Sequence, residues 1–209
     1  MKTGSKDLDS VFEYKNELTM IYGEAASGKT TIAKLAAIEQ SNNNKKVVYI
    51  DTEKGFSIER FKQLAGKDYQ KIIDNLIIFR PESLREQKRL MKDIMQLVET
   101  GKIGLVIVDT IGSIYRVELK LDEKYANRTI SENIKVFRWI TNKGIPVIIT
   151  NQVYSDFNNN IRNVGGNMIK DACNCVIQLV KNPRTFKIET PLAKEFRFEI
   201  KDDGVYLIK

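Results

Sequence analysis

A short stretch near the N-terminus has the residue types and spacing that bind phosphate. Residues 23–30 match G-x-x-x-x-G-K-[ST], directly after an apolar run and at the start of a helical pattern. Gly23 and Gly28 let the backbone curl so that its N–H groups point at phosphate oxygens. Lys29 can reach the β- and γ-phosphates, and the Thr30 hydroxyl can ligate Mg²⁺. The predicted ATP-binding residues are Gly23, Glu24, Ala25, Ala26, Ser27, Gly28, Lys29, Thr30 and Thr31.

A carboxylate follows a fully apolar run further along the chain. Residues 105–108 are Leu-Val-Ile-Val, and Asp109 comes next. A buried strand would deliver Asp109 to the carboxyl edge of a sheet, where it can hold Mg²⁺, usually through water. An aspartate after a strand is also common as a cap. Because the phosphate-binding pattern is present, we predict that Asp109 and Thr30 hold the metal.

Two polar clusters end other apolar runs. Residues 51–53 (Asp-Thr-Glu) follow the run 47–50, and a carboxylate there can polarise an attacking water, or the cluster can form a turn or a helix cap before Ser57. Residues 150–152 (Thr-Asn-Gln) end the run from Val147, and the amide can contact a γ-phosphate, or it can satisfy a loop. Position alone leaves both alternatives open.

The order of these runs predicts an α/β fold. Runs of four or five apolar residues between helical patterns are typical of a parallel sheet buried on both faces. After about Cys175, four strand-like runs follow without helices between them, and residues 196–200 alternate apolar and charged side chains. We therefore expect a mostly parallel sheet flanked by helices, with an antiparallel C-terminal edge. The expected strands are 18–22, 47–50, 76–79, 105–108 and 147–150, and the expected helices are 29–40, 57–64, 81–99 and 130–142.

Composition limits the class of protein. The chain has 209 residues, 42% of them hydrophobic, and fits one domain over residues 1–209. Neither a signal peptide nor a membrane span is expected, so we expect a cytoplasmic protein. Because histidine is absent, mechanisms that use Ser-His, Cys-His or His-metal groups are excluded. Cys173 and Cys175 are too close along a strand for an unstrained disulfide, and we expect buried or half-buried thiols.

The net charge of +7 favours a polyanionic partner such as nucleic acid, although a lysine-rich composition alone gives the same surplus.

Taken in order, the motifs resemble the ATPase core of archaeal and eukaryotic strand-exchange recombinases of the RecA/RadA family. The resemblance covers nearly the whole chain, and its short core is similar to the archaeal RadB-type paralogues. It implies a RecA-like P-loop ATPase core that uses ATP and Mg²⁺, with Lys29 on the phosphates, Glu53 as catalytic base and Gln152 as γ-phosphate sensor. The matching segments are residues 2–10, 23–30, 51–56, 105–110, 114–116, 147–153 and 165–167.

Two features depart from the family pattern. Full recombinases carry an N-terminal helical domain and a Phe-x-x-Ala polymerisation motif, whereas this chain starts immediately before its core and residues 12–15 do not match that motif. The Gly-rich turn before the first strand is replaced by residues 12–17. The resemblance therefore does not extend to filament formation through the usual contact.

Two segments correspond to the loops that line DNA in the family. The first follows Tyr115, and the second lies between Gln152 and Gly165, where it holds Tyr154 and Phe157. Basic side chains with interleaved aromatics suit single strands, although both segments can also be mobile solvated loops. The predicted DNA-binding residues are Arg116, Lys120, Lys124, Arg128 and Arg162.

The resemblance implies an ATP- and DNA-binding protein that assists homologous recombination and DNA repair with weak ATP hydrolysis. Its expected partners are single-stranded or branched DNA and the main recombinase or other recombination proteins, without a membrane. Two alternatives stay open: a recombination mediator that does not hydrolyse ATP, and a KaiC-like RecA-fold signalling ATPase that need not bind DNA.

Overall fold

A ten-stranded sheet with helices on both faces forms the centre of the structure, a computed structural model that describes residues 1–155, 161–163 and 166–208. The helices of these residues are α1 (Lys6–Asp9), α2 (Lys29–Asn42), α3 (Ile58–Ala65), α4 (Tyr69–Ile73), α5 (Leu84–Glu99), α6 (Gly112–Leu119), α7 (Glu123–Asn142) and α8 (Gly166–Asp171), with a 3₁₀ turn at Gly66–Asp68. The strands are β1 (Leu18–Gly23), β2 (Lys46–Asp51), β3 (Leu76–Phe79), β4 (Ile103–Asp109), β5 (Val147–Ser155), β6 (Ile161–Asn163), β7 (Cys175–Lys181), β8 (Arg184–Thr190), β9 (Lys194–Lys201) and β10 (Gly204–Leu207).

The strand order is β10-β9-β8-β7-β1-β5-β4-β2-β3, and β6 pairs with β5. From β3 to β7 the neighbouring strands are parallel, and from β7 to β10 they are antiparallel. This arrangement confirms the fold class expected from the apolar runs. Register matters for function, because Gly23 of β1 pairs with Gln152 of β5, and Asp51 of β2 pairs with Asp109 of β4.

Side chains of the parallel strands fill two apolar layers, one on each face of the sheet. Along β4, Leu105 and Ile107 join the layer beneath α2, whereas Val106 and Val108 join the layer beneath α5 and α7. All four are fully buried. Each buried aliphatic side chain of this size contributes about 1.5–3 kcal/mol. This two-sided burial explains why the strand appears in the sequence as a continuous apolar run.

Side-chain caps mark the starts of α3, α5 and α7. The Ser57 hydroxyl accepts a hydrogen bond from the backbone N–H of Arg60, which starts α3 close to the expected residue. The two longer helices end where predicted, at Glu99 and Asn142, but their starts were predicted wrongly. Helix α5 begins after Ser83 rather than at Pro81, and α7 begins after Asp122, well before residue 130. In both, the cap side chain accepts an N–H of the first turn, a contact typically worth about 1 kcal/mol.

The N-terminal segment packs on the antiparallel edge of the sheet. The Ser5 hydroxyl donates to the carbonyl of Val205 at 2.6 Å, and the backbone N–H of Leu207 donates to the Asp7 carboxylate at 3.0 Å. Tyr14 follows α1 and is buried, with the ring of Phe12 against it. Residues 12–17 therefore lead into β1 through aromatic packing rather than through a Gly-rich turn.

Both cysteines are unpaired, as expected. Cys175 is buried on β7 and Cys173 is half-buried, and burial raises the pKa of each thiol to about 12. Within the described residues, no helix combines the length and apolarity needed to cross a membrane.

Candidate nucleotide-binding site

The loop between β1 and α2 needs its two glycines for packing as well as for phosphate. A Cβ added to Gly23 would lie 2.3 Å from the carbonyl oxygen of Leu179, so the close approach of β7 admits no side chain there. Gly28 has φ of +112°, and a Cβ there would lie 2.6 Å from the Ile200 side chain. The close approach of the β7 backbone therefore requires glycine at position 23, and the left-handed backbone conformation requires it at position 28.

Lys29 places a buried cation at the start of α2. Its Nζ donates to the carbonyl oxygens of Gly23 at 2.9 Å and Glu24 at 2.7 Å. Burial lowers the pKa of Lys29, and the carboxylates of Asp109 and Glu53 oppose that effect. An anionic ligand would stabilise the charged form of this buried ammonium, because its negative charge offsets the hydration that the ammonium loses on burial.

Asp109 is buried at the end of β4 and is held from both sides. Tyr49 of β2 donates its hydroxyl to Oδ2 at 2.6 Å, and Thr150 of β5 donates its hydroxyl to Oδ1. Burial and the Asp109 carboxylate raise the pKa of Tyr49 well above its ordinary value, so the phenol stays protonated and donates. Strands on either side of β4 thus fix the orientation of this carboxylate.

Glu53 and Gln152 were predicted separately, and the structure brings them together. The Gln152 side-chain amide donates to Glu53 Oε1 at 2.8 Å, and the Thr110 hydroxyl donates to the same oxygen at 3.2 Å. Glu53 is exposed, whereas Thr110 beneath it is buried. A carboxylate aimed at a polar cavity and oriented by two donors has the arrangement of a general base.

Asp51 has a different role from Glu53, although both follow β2. It is buried and accepts the backbone N–H groups of Gly55 at 2.9 Å and Phe56 at 3.1 Å, while the Arg80 guanidinium pairs with it at 3.2 Å. These contacts shape the turn that carries Glu53. The Asp-Thr-Glu cluster therefore contains both a turn residue and a carboxylate at the cavity. Asp51 forms the turn, and Glu53 lies in the cavity wall.

Thr52 joins the ends of β2 and β4. Its hydroxyl donates to the carbonyl of Thr110 at 2.6 Å and accepts the Thr110 N–H at 2.9 Å and the Ser113 hydroxyl at 3.0 Å. No local sequence pattern indicates Thr110 or Ser113 as partners of this segment, because the contact depends on which strands are neighbours.

These elements surround an open cavity of about 620 Å³. Asp109 lies beneath it rather than in its wall. The walls contain predicted residues together with side chains that sequence reasoning missed. The predicted residues in the wall are Ala25, Ala26, Gly28, Lys29, Thr30, Thr31, Glu53 and Gln152, and the others are Arg60, Thr110, Arg184, Ile200, Lys201 and Asp202.

Two arginines connect the antiparallel edge to this cavity. Arg184 at the start of β8 donates to the carbonyl oxygens of Ala26 at 3.2 Å and Ser27 at 3.1 Å. Arg60 on α3 donates to the carbonyls of Asp202 at 2.9 Å and Lys201 at 2.7 Å. Neither was predicted, because each reaches the cavity from an element remote in sequence.

The first predicted DNA segment is helical rather than a loop. Arg116 lies on α6, Lys120 lies between α6 and α7, and Lys124 and Arg128 lie on α7. All four are exposed, and Arg128 also pairs with Glu132 at 3.1 Å. The Asp122 cap turns the chain into α7 without a long loop. The structure therefore presents these basic residues on helix surfaces beside the exposed Val117 and Leu121.

Half of the second DNA segment lies outside the described residues, including Phe157, as does Gly165 at its end. Arg162 belongs to β6, which pairs with β5. After this segment, α8 is connected through Glu189 to β1, the strand that leads into the phosphate loop. Lys170 of α8 pairs with Glu189 at 2.7 Å, and Glu189 accepts the hydroxyl of Tyr22 at 2.7 Å.

We predict that Tyr49→Phe lowers the free energy of unfolding by about 1.5–3 kcal/mol, because the buried Asp109 carboxylate loses a donor. Tyr14→Phe is the matched control. Tyr14 is also buried, but its hydroxyl has no hydrogen-bond partner among the described residues. Urea unfolding of the two variants compares them directly. Equal losses would contradict the assigned role of the Tyr49 hydroxyl.

Comparison with known proteins places the chain in a family. The sequence model described as Rad51 matches residues 1–206. The DNA repair and recombination protein RadB of Methanoculleus marisnigri is 32% identical over 98% of this chain and 96% of its own length. The RadB protein of Methanococcoides burtonii is 39% identical over 90% of this chain and 88% of its own length.

A solved structure, the crystal structure of the RadB recombinase, superposes with a TM-score of 0.81 at 31% identity, covering 100% of this chain and 99% of that one. The agreement extends from the phosphate loop to the antiparallel edge, and the chain belongs to the Rad51 family.

Proposed function

We propose that this Rad51-family chain folds as a single RecA-like domain over residues 1–209, binds ATP with Mg²⁺, hydrolyses it slowly and acts on DNA in recombination and repair. One observation carries the proposal. The ends of β1, β2, β4 and β5 gather Lys29, Glu53, Asp109 and Gln152 around one polar cavity. A cation, an oriented carboxylate, a buried metal-type carboxylate and a neutral amide are the groups that phosphoryl transfer to water requires.

The residues present fit a magnesium nucleotide. The backbone N–H groups of residues 24–30 and the Lys29 ammonium would hold the phosphates, and Thr30 with Asp109 would hold Mg²⁺. The side-chain donors on Asp109 keep its carboxylate fixed. When bound, Mg²⁺ would neutralise charge on the phosphates. The planar Arg60 guanidinium in the cavity wall can stack on a purine face.

In hydrolysis, Glu53 would accept a proton from the attacking water, and Gln152 would contact the γ-phosphate. Gln152 lies on β5, which continues to residue 155 and so forms the start of the second predicted DNA segment. The Gln152 amide also donates to Glu53, so a single side chain connects the proposed base with that segment. Such a link would allow γ-phosphate to influence DNA contact.

DNA as the substrate is supported by the relatives, which are named DNA repair and recombination proteins. The exposed Arg116, Lys120, Lys124 and Arg128 supply positive charge for phosphates, and we keep Arg162 among the proposed contacts. Single-stranded or branched DNA and the main recombinase are the proposed partners. Because the named relatives come from archaea, whose DNA lies in the cytoplasm, we also propose that the protein works in the cytoplasm.

We predict that Glu53→Gln keeps ATP affinity and lowers turnover by about 10²–10⁴-fold, because a positioned base is lost. Turnover and binding are measured for both proteins without DNA, with single-stranded DNA and with branched DNA. Faster turnover of the unmutated protein with either DNA supports a DNA-dependent ATPase.

Other results would favour a different function for the protein or a different role for Glu53. Tight ATP binding without turnover would favour a recombination mediator. Robust turnover without any DNA binding would favour a KaiC-like signalling ATPase. Reduced binding by Glu53→Gln with an unchanged rate per bound ATP would make Glu53 structural.

We predict that replacing Arg116, Lys120 and Lys124 with Ala flattens the salt dependence of DNA binding. Each lost phosphate contact should reduce the slope of log affinity against log salt by roughly 0.7 for a single strand. The measurement is titration of fluorescent single-stranded DNA at several salt concentrations, with ATP binding followed in parallel and expected to stay unchanged.

A triple variant of exposed lysines elsewhere is the control, with Lys67, Lys71 and Lys92 replaced by Ala. It removes the same charge from the other helices. If this control flattened the slope as much as the first variant, DNA binding would follow net charge rather than the proposed surface.

A further inference from the structure

Lys34 is a buried lysine that the proposed chemistry does not use. It lies on α2, five residues after Lys29, and is 2% exposed. Its Nζ lies 4.8 Å from the centroid of the Phe56 ring and donates to the carbonyl of Ser57 at 3.4 Å. Burying an ammonium is costly, and an apolar side chain of similar length would avoid that cost. Because charged side chains are rarely buried at such a cost, we expect Lys34 to have a function.

Charge around Lys34 connects it to the same site. Burial lowers the pKa of Lys34, and the carboxylates of Asp109 and Asp51 oppose that effect, while the Arg60 guanidinium adds to it and Glu59 opposes it. The lysine therefore lies in the field of the two buried aspartates at the ends of β2 and β4. Both aspartates already accept hydrogen bonds from neighbouring groups. The Lys34 ammonium therefore offsets part of their negative charge without being one of their hydrogen-bond donors.

The segment that Lys34 contacts is the one that carries Glu53. Asp51 holds this segment from its start by accepting the N–H groups of Gly55 and Phe56. Lys34 holds its far end through the Phe56 ring and the Ser57 carbonyl. Glu53 lies between these two attachments.

Lys34 and Lys29 share one rigid helix and stand roughly 7.5 Å apart along its axis. A contact from Lys34 therefore fixes the Glu53 segment relative to the helix whose first residue would hold the phosphates. An error of about 1 Å in such a distance can cost about 10²-fold in rate.

We propose that Lys34 is a positioning residue for ATP hydrolysis, which clamps residues 51–57 to α2 and so sets Glu53 against the phosphate loop. The inference rests on the proposed function, because it requires turnover at this site. Lys34 itself touches neither nucleotide nor water in this role. Its effect must therefore pass through Glu53.

The test is Lys34→Met in the unmutated protein and in the Glu53→Gln background, with kcat and KM taken from steady-state turnover and the hydrolysis step itself from single-turnover measurements. We expect kcat to fall on the order of 10–100-fold, with KM for ATP changed less than about twofold. In the Glu53→Gln background we expect no further loss, because the residue being positioned has already lost its function. Lys34→Arg keeps a cation over Phe56 and should retain more activity than Lys34→Met.

Lys62→Met is the matched control, because Lys62 also lies 4.8 Å from a ring centroid, that of Tyr69, on an exposed face of α3. It should leave kcat unchanged.

Three results for Lys34→Met would overturn the positioning role. They are an equal loss of turnover in both backgrounds, a change confined to KM, and normal turnover. Absence of turnover in the unmutated protein would overturn the proposed function and this inference with it. If Lys34→Met does not fold, the same comparison with Lys34→Arg decides, and additive losses there overturn the role.

Discussion

Parallel strand pairing is the constraint on which the site depends. Because β1, β2, β4 and β5 run in the same direction, their carboxyl ends meet at one edge, and the register there is set by the backbone hydrogen-bond ladder. Register places Gly23 beside Gln152 and Asp51 beside Asp109. A slip of one residue would turn these side chains to the opposite face of the sheet. The continuous apolar runs that bury both faces therefore also fix the geometry of the polar cavity.

Several charged side chains are buried at this edge, and hydrogen bonds offset the free energy lost when they leave water. Asp51 and Asp109 are buried, and each accepts donors on both carboxylate oxygens. Burial lowers the pKa of both Lys29 and Lys34, the Asp109 carboxylate opposes that effect at both lysines, and Asp51 also opposes it at Lys34. The two lysines belong to the same helix, one at the phosphate loop and one at the Glu53 segment. A polyanion would therefore bind at a site whose aspartates are already hydrogen-bonded and whose lysines are already buried.

Features encoded locally were predictable from the sequence, and features that depend on neighbouring strands were not. The phosphate loop, the apolar strands and the antiparallel edge each produce a local pattern, and all were expected. The starts of α5 and α7 were misplaced because the Ser83 and Asp122 caps outweigh apolar periodicity. The contacts of Tyr49 and Lys34 had no local signal, because their partners lie on other elements. The pairing of Glu53 with Gln152 likewise required knowledge of strand order. The residues whose contacts became visible only in three dimensions also include Arg60, Arg184, Thr110 and Thr150.

Equilibrium binding of labelled ATP with Mg²⁺ to the unmutated protein and to Lys29→Ala tests the central claim most directly. The account predicts that the unmutated protein binds ATP and that the variant, with an unchanged circular dichroism spectrum, binds about 10–100-fold more weakly. That loss corresponds to a charged hydrogen bond of about 1.5–3 kcal/mol to the phosphates. Equal ATP affinity of the two proteins would contradict the claim that the strand ends around Lys29 form the nucleotide site.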